Sequence, residues 1–325
     1  METLINNTAL IRRRIRDTNL TVKAYSVGTQ SHTDIAVIYM ENKVDKKLLA
    51  NLDKRLKAID VPSLTMNQQS LVEALYKNLW YNPFPKVKHT ERPDTTASAI
   101  LDGNIVILVD NAPSALLLPT SIFDVLEEAD DYYFPPVTGT YLKLARYFIT
   151  IVTVLITPLW LLALQNPDYC PEFFRFVLLD EPQNIPVFWQ LILMEVGIDG
   201  LRLAALNTPN SLTTPLSIIG AIALSEFAVD SGWVSMEAIL YMALVTVANF
   251  TQPNFELGYS FKFCRVLLLV LTYIFNVWGF IIAFIINLVL LCTNRTLSSK
   301  SYLYPLVPFN GKEFLRKILR IRNPR

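Results

Sequence analysis

Hydrophobic residues are distributed unevenly along this chain. Up to about residue 140, short apolar runs alternate with charged stretches, as in a water-soluble protein. An 18-residue run without any charge then extends from Tyr147 to Leu164, which is long enough to cross a hydrocarbon core of about 30 Å. Further uncharged stretches recur as far as Cys292. This pattern predicts a water-soluble head joined to a membrane domain, and therefore a function at or across a bilayer.

The predicted fold class is α+β with a membrane part. A small cytoplasmic α/β domain is expected over residues 1–140, and a polytopic α-helical membrane domain over residues 141–294. Residues 295–325 form a basic cytoplasmic tail.

Two helices and four strands are predicted within the head. Leucines at helical spacing predict a helix over residues 43–59, and a second helix is expected over Gln69–Leu79. Asp102-Gly103 reads as a hairpin turn between the second and third strands. The predicted strands are Asp34–Met40, Ala97–Leu101, Ile105–Val109 and Leu116–Leu118.

The apolar second half contains a candidate polar membrane face. Within Pro186–Leu206, spacings of four and three place Glu195, Asp199 and Arg202 on one side of a helix. Because a charge that faces lipid is costly, this side is expected to face protein or water, and Glu226 is added to it. Two interpretations stand equally: a pore or transport path, or a helix packed on a partner through a buried Glu195–Arg202 salt bridge.

Loop charges predict the topology. Residues 165–185 carry four acidic residues against one arginine, whereas residues 293–325 carry eight basic residues against one acidic residue. Since positive loops stay on the cytoplasmic side, both termini are expected there and the number of crossings is even. One solution has about four full spans with Pro186–Leu206 re-entrant or interfacial. The other has six spans, with Val266–Cys292 split near Asn276–Gly279; four spans are preferred.

Composition excludes several function classes. The net charge is +1, so binding to nucleic acid is not expected. Three cysteines without CxxC spacing and two histidines make a metal site, a disulfide framework or a histidine-based catalytic cluster unexpected. The head has no Walker A loop, GxGxxG or nucleophile elbow. We therefore predict no enzyme activity, no cofactor and no metal.

Two charged motifs in the head are interpreted structurally. The basic residues within Arg12–Arg16 fit either contact with anionic lipid or, preferably, a solvated helix start. The motif TERPD over residues 90–94 predicts a fixed loop with internal ion pairing, because charges of alternating sign flank a proline. The candidate structural or docking residues are Glu91, Arg92, Pro93 and Asp94.

Several long motifs resemble the spore germination receptor A-subunit family. They include GIDGLRLAALNTPNSLTTPLSIIGAIALSEFAVDSGWVS over residues 197–235 and ILYMALVTVANFTQPNFELGYSFKFCR over residues 239–265. In the head, TERPD and LLLPTSIFDVLEEADDYY belong to the same resemblance, as does SYLYPLVPFNGKEF in the tail. The resemblance covers nearly the whole chain from about residue 27. The family usually has a longer N-terminal region, so the head resembles its second part.

The resemblance implies a non-enzymatic protein of the spore inner membrane. Its implied partners are further copies of itself in a homo-oligomer, other germination proteins of that membrane, and the lipid bilayer. Two hypotheses follow: an oligomer that conducts ions or aids release of ions and dipicolinic acid, or a non-conducting assembly or regulatory subunit. An intramembrane enzyme is a distant third, because no nucleophile–base pair is recognisable.

Overall fold

The computed structural model divides into two compact units. The head unit combines Met1–Lys143 with Leu290–Arg325, and the helical unit comprises Leu144–Val289. The predicted basic tail over residues 295–325 therefore lies in the same unit as the head. The structure describes residues 3–76, 81–179, 183–209, 214, 218–222, 226–294, 296–297 and 301–320.

The head unit is built on a five-stranded antiparallel sheet with the order β1-β2-β4-β5-β3. In the central part, Ile35 of β2 lies opposite Val109 of β4, and β4 is buried along its whole length. The strands are β1 (Leu20–Val27), β2 (Thr33–Met40), β3 (Lys88–Thr90), β4 (Ile105–Val109) and β5 (Ala115–Leu118).

Helices cover both faces of this sheet. They are α1 (Leu4–Arg14), α2 (Lys46–Lys57), α3 (Gln68–Leu75), α4 (Pro93–Leu101) and α5 (Ile122–Leu126). Side chains alternate along a strand, so Ile35 packs in a core with α2 and α3, whereas Ile38 packs in a second core with α1 and α4. The predicted small α/β head is confirmed.

One predicted strand is wrong. Ala97–Leu101 forms the second half of α4, because Pro93 occupies the first helical turn, where its missing N–H is not needed. The Asp102-Gly103 pair ends this helix instead of turning a hairpin: the Gly103 N–H donates to the Ile100 carbonyl, and Gly103 has a φ of +95°. The other three strands and both helices are confirmed, although residues 77–79 lie outside the described residues.

The sequence did not predict β1 or the short strand β3, and it predicted a helix start at Arg12–Arg16, which is wrong because α1 ends at Arg14. In β1 the polar and apolar residues of LTVKAYSV give a partly exposed edge strand, which has no continuous apolar run. The start of α1 is tied to the sheet by the Leu4 N–H, which donates to the Asp110 carboxylate at 2.9 Å. Its Ile11 and Ile15 are buried.

The other helices are α6 (Pro136–Gln165), α7 (Val187–Asn207), α8 (Met236–Phe250), α9 (Phe255–Thr293) and, in the head unit, α10 (Gly311–Ile318). A one-turn helix spans Ala228–Asp230, and 3-10 helices span Ala129–Tyr132, Pro167–Tyr169 and Glu172–Val177. By length and composition, α6 and α9 can cross a membrane, while α8 is apolar but shorter. Much of the predicted apolar segment at 215–229 lies outside the described residues.

Helix α9 folds back on itself at Asn276, whose φ of 54° is not helical. The Asn287 amide donates to the Cys264 carbonyl at 3.1 Å, although a straight helix would separate residues so far apart in sequence by about 35 Å. A Cβ on Gly279 would overlap the Leu271 carbonyl oxygen, so the two arms are in close contact beside the turn. The segment Val266–Cys292 is therefore split near Asn276–Gly279, as the six-span interpretation of the sequence expects.

The turn of α9 lies beside the end of α6. The side-chain amides of Asn276 and Asn166 bond each other, with one hydrogen bond of 3.1 Å. The first arm, Phe255–Phe275, is about 31 Å long, and the second arm, Val277–Thr293, is about 26 Å long. Each is comparable to the thickness of a hydrocarbon core.

Candidate functional site

The helical unit contains a cluster of four charged side chains, three of them buried and the fourth, Asp199, partly exposed, which we call the ion-pair cluster. Glu195 and Asp199 come from α7, and Lys262 and Arg265 come from the first arm of α9. The Arg265 Nε donates to the Glu195 carboxylate at 2.7 Å, and the Lys262 ammonium lies 3.2 Å from the same carboxylate. Lys262 also bonds Asp199. Spacings of four on α7 and three on α9 align the two pairs of charges face to face.

The central pair of this cluster, Arg265 and Glu195, is almost completely buried. Arg265 is 2% exposed and Glu195 is 5% exposed. The Arg265 guanidinium also donates to the Thr153 carbonyl of α6 at 3.1 Å, so the cluster joins three helices. Two acidic and two basic groups balance each other, which is how charges are accommodated away from water.

Arg202 and Glu226 do not join this cluster. The Arg202 guanidinium lies over the rings of Phe250, Phe255 and Tyr259, at 5.1, 5.5 and 5.3 Å from their centroids. Such contacts stabilise a cation through the electron-rich ring faces. The proposed Glu195–Arg202 salt bridge is wrong, because Glu195 pairs with basic residues of α9. Glu226 is exposed.

Sequence reasoning missed Lys262 and Arg265 as part of the candidate site. They follow the Thr251–Asn254 turn and appeared to belong to a polar connection before the last apolar segment. In the structure, α9 begins at Phe255 and includes both residues among its buried positions. A usable signal was present: buried acidic residues require basic partners, and these were the basic residues directly before the longest uncharged stretch, Val266–Cys292.

Buried hydroxyl and amide groups extend the polar interior beyond the cluster. Thr157 lies one turn past Thr153 on α6, and Thr272 lies about two turns past Arg265 on α9. Both are fully buried, and their hydroxyl oxygens have no hydrogen-bond partner among the described residues. The same holds for the buried Oδ1 of Asn287. These oxygens are able to accept hydrogen bonds from water or to face a cation.

The predicted docking motif in the head lies at the start of α4. Arg92 and Asp94 form an ion pair of 3.0 Å, and Arg92 also pairs with Asp130. Hydrogen bonding from Arg92 holds the pKa of Asp94 well below its usual range. Pro93 begins the helix, and Glu91 is exposed. Internal pairing therefore fixes this motif, with Glu91 facing solvent.

A second charged cluster, the head cluster, connects four elements of the head unit. The Lys143 ammonium, near the start of α6, lies 2.6 Å from the Glu127 carboxylate, and its side chain is 1% exposed. Lys88 of β3 donates to the Asp124 and Glu127 carbonyls, both at 2.7 Å. Lys317 of α10 pairs with the Asp124 carboxylate. Among the described residues, no group of His, Cys, Asp or Glu is arranged to hold a metal ion.

The family is decided by the whole chain and not by a single motif. The sequence profile of the Bacillus/Clostridium GerA spore germination protein family matches residues 1–325. This chain belongs to the GerA family. The resemblance predicted from the sequence is thus confirmed.

Relatives place this GerA-family chain among germination proteins. It is 37% identical to stage V sporulation protein AF of Bacillus subtilis (strain 168), over 100% of this chain and 65% of that protein. It is 28% identical to spore germination protein KA of the same organism, over 98% of this chain and 59% of that protein. The chain therefore spans about three fifths of the length of these relatives.

A solved domain also shares sequence with this chain. The N-terminal domain of the A subunit of the Bacillus megaterium spore germinant receptor GerK3 is 33% identical, over 36% of this chain and 91% of that domain. The TM-score is 0.29, which is too low to establish a shared arrangement.

The head cluster predicts acid sensitivity of the GerA-family head. Burial raises the pKa of Asp124 and Glu127. The charge of Lys317, together with hydrogen bonds from Ser121 to Asp124 and from Lys143 to Glu127, outweighs burial, so that both pKa values are lowered. Because the folded pKa values are depressed, their stabilising effect is present at neutral pH and is lost as the pH falls below about 4. Hydrogen exchange of β4 in the full chain should therefore become faster at pH 3.5 than the intrinsic pH effect predicts.

The Lys317→Met variant supplies the comparison. It removes the nearest cation of Asp124, so it should weaken β4 protection at pH 7 and shrink the difference between pH 7 and pH 3.5. Lys312→Met, on an exposed part of the same helix, should leave the pH difference unchanged. Equal pH differences in all three proteins would show that this cluster does not stabilise the head.

Proposed function

We propose that this GerA-family chain is a membrane subunit of the spore germination apparatus, with its helical unit in the spore inner membrane and its polar interior taking part in ion release. The ion-pair cluster carries this proposal, because it places three charged side chains in the buried interior of the helical unit, with the partly exposed Asp199 beside them. The relatives named for spore germination support the process. The proposed role is not enzymatic.

The outward side chains support membrane embedding. On α8, Leu240, Leu244 and Val247 share one face and are 58%, 48% and 66% exposed. Trp278 on α9 is 73% exposed. Water would make such contiguous apolar faces costly, whereas lipid tails would contact them without penalty. An apolar outside around a polar inside is the arrangement expected of a membrane domain.

The hinge at Asn276 favours six spans over four. If both arms of α9 cross the membrane, the first arm runs parallel to α6, since Asn276 meets Asn166 at the end of α6. The second arm then returns the chain to the side from which α6 started. This keeps the number of crossings even and places both termini on the cytoplasmic side, as the loop charges predict.

Ion movement through this interior would require the ion pairs between α7 and α9 to exchange partners. Lys262 already contacts both Glu195 and Asp199, so a small displacement of its ammonium changes which carboxylate is neutralised. Arg265 remains beside Glu195 and prevents an unpaired buried anion. Thr157 and Thr272 continue the polar surface toward the end of α6. Glu195 and Asp199 are the acidic residues of this proposed path. Arg202, whose guanidinium lies over aromatic rings, is a further charged residue on the same helix.

A second candidate is a non-conducting assembly or regulatory subunit. Every charge of the ion-pair cluster has a partner of opposite sign, which is also the arrangement of a purely structural core. In this case, homo-oligomer contacts or contacts with other germination proteins would use the head, with Glu91 as its solvent-facing member of the TERPD motif. Glu226, which is exposed, would serve the same purpose in the helical unit.

Ion flux from liposomes that contain the purified oligomer separates the candidates. Wild-type protein should release ions, and Glu195→Gln should change that flux by about tenfold or more, because it alters a charge inside the path. Glu237→Gln makes the same chemical change at an exposed position of α8 and should leave the flux unchanged. Equal flux from wild type and Glu195→Gln across pH and salt would exclude the path. No flux from folded wild type, together with captured germination proteins, would favour the second candidate.

A further inference from the structure

Helix α10 presents a mixed basic and apolar surface to solvent. Spacings of three and one place Lys312, Leu315 and Arg316 on one side of the helix, and Leu319, which is also exposed, follows its last residue. Phe309, just before the helix, is 72% exposed, and Leu315 is 52% exposed. We call these five residues the tail face. None of the five belongs to the ion-pair cluster or to the head cluster.

The opposite side of α10 is fixed to the head. Phe314 packs edge-on against Phe123 of α5, with ring centroids 6.0 Å apart. Lys317 pairs with Asp124, as described above. The Asn310 side chain caps the helix by accepting from the Glu313 N–H at 3.3 Å. The helix is therefore held in one orientation, with the tail face outward.

The end of α10 lies against the start of α6. The Arg320 N–H donates to the Thr140 hydroxyl at 3.1 Å, and a Cβ on Gly139 would contact the Arg320 side chain. The uncharged run of α6 begins at Tyr147, which is about 10 Å farther along the same helix. If α6 enters a bilayer there, the end of α10 lies at the depth of the lipid headgroups.

Exposed aromatic side chains lie beside the start of α6, just before its uncharged run. Tyr133 and Tyr141 are each 68% exposed, and they flank the first turn of α6. Exposed aromatic residues just before a transmembrane run are typical of the membrane–water interface, where the ring contacts both lipid and water.

We infer that the tail face rests on the surface of a phospholipid bilayer and binds anionic headgroups. Leu315, Leu319 and Phe309 supply apolar area that reaches the acyl boundary, while Lys312 and Arg316 attract phosphate groups. Arg316 pairs with Glu313 at 2.9 Å, but this pair is half-exposed and weak in water, so the guanidinium keeps donors for a phosphate. This inference rests on the proposed membrane insertion of α6.

A bilayer fits this surface better than a second copy of the chain. In a two-fold contact between copies, the same patch would meet itself, which brings Lys312 and Arg316 toward their equivalents. Like charges in such a contact are unfavourable. An anionic lipid surface has the complementary charge and accepts the exposed leucines at the same time.

Hydrogen exchange of the full chain in lipid nanodiscs tests the inference. One set of nanodiscs contains only phosphatidylcholine, and the other adds phosphatidylglycerol as the anionic lipid. Amides of α10 should exchange on the order of tenfold more slowly with the anionic lipid, and high salt should reduce this difference. Slow exchange of α6 and α9 in both nanodiscs reports membrane insertion separately.

Two charge-reversal variants define the outcomes. Lys312→Glu/Arg316→Glu should abolish the lipid difference at α10, whereas Lys47→Glu/Lys54→Glu makes the same charge change at exposed positions of α2 and should retain it. If α6 and α9 are protected but α10 is insensitive to the anionic lipid, the tail face is not a lipid site, although the proposed insertion stands. Rapid exchange of α6 and α9 would instead overturn the proposed insertion. If protection of α10 rises with protein concentration in neutral nanodiscs, the tail face binds a second copy of the chain and not lipid.

Discussion

Replacing Arg265 by leucine is expected to destabilise the helical unit by about 3–5 kcal/mol. The substitution removes the guanidinium that pairs with Glu195 at 2.7 Å and leaves that carboxylate buried with only Lys262 beside it. It also removes the donor to the Thr153 carbonyl, so a contact between α9 and α6 is lost. The loss should appear as a lower midpoint of thermal unfolding in detergent, followed by circular dichroism.

Two further variants make this expectation specific. Arg175→Leu changes an exposed arginine of the same unit and should shift stability by no more than about 0.5 kcal/mol. The double variant Glu195→Leu/Arg265→Leu removes both main partners, so it should be more stable than the sum of the two single losses predicts. Strict additivity, or an unchanged midpoint in Arg265→Leu, would mean that the pair does not hold the helices together.

Replacing Gly279 by alanine should also be strongly destabilising, by about 1–3 kcal/mol or more. A Cβ at this position would overlap the Leu271 carbonyl oxygen, which belongs to the backbone and cannot turn aside as a flexible side chain does. The two arms of α9 would have to separate beside Asn276. The Asn287–Cys264 hydrogen bond would then lengthen, and exchange of amides near the hinge should become faster.

The same substitution at Gly200 provides a matched control. Gly200 lies within α7, and among the described residues no atom outside its chain neighbours and its own helix backbone lies within 4 Å of the position of its Cβ. Alanine is the better helix former, so Gly200→Ala should be neutral or stabilise by up to about 1 kcal/mol. Opposite signs at the two glycines would support the hinge geometry. If Gly279→Ala is as harmless as Gly200→Ala, the arms of α9 do not pack as closely as described.

Local patterns predicted most of the head but not its boundaries between helix and strand. Ile35–Met40, within the predicted strand Asp34–Met40, and Ile105–Val109 are continuous apolar runs buried on both faces, and such runs are recognisable without tertiary context. Ala97–Leu101 has similar composition, yet the proline at residue 93 and the turn at Gly103 define a helix. Short apolar segments are ambiguous by periodicity, so their end signals decide the structure.

The candidate site was only half predictable for a related reason. Spacing within α7 was sufficient to place Glu195 and Asp199 together, because helical geometry is local. Their partners come from α9, more than sixty residues later, and no local rule pairs two distant helices. Arg202 was assigned to the same face, but two helical turns separate it from Glu195 and aromatic residues near the start of α9 contact it instead.

The head unit includes the C-terminal residues of the chain, and this has a consequence for biosynthesis. Leu297 belongs to the same apolar core as the sheet, and the Ile122 N–H donates to the Tyr302 carbonyl. A ribosome adds these residues only after it has synthesised all the helices of the helical unit. The nascent head therefore has an incomplete core until Leu297 and Tyr302 have been added. A chain stalled before Leu297 should accordingly expose the head to chaperones and proteases.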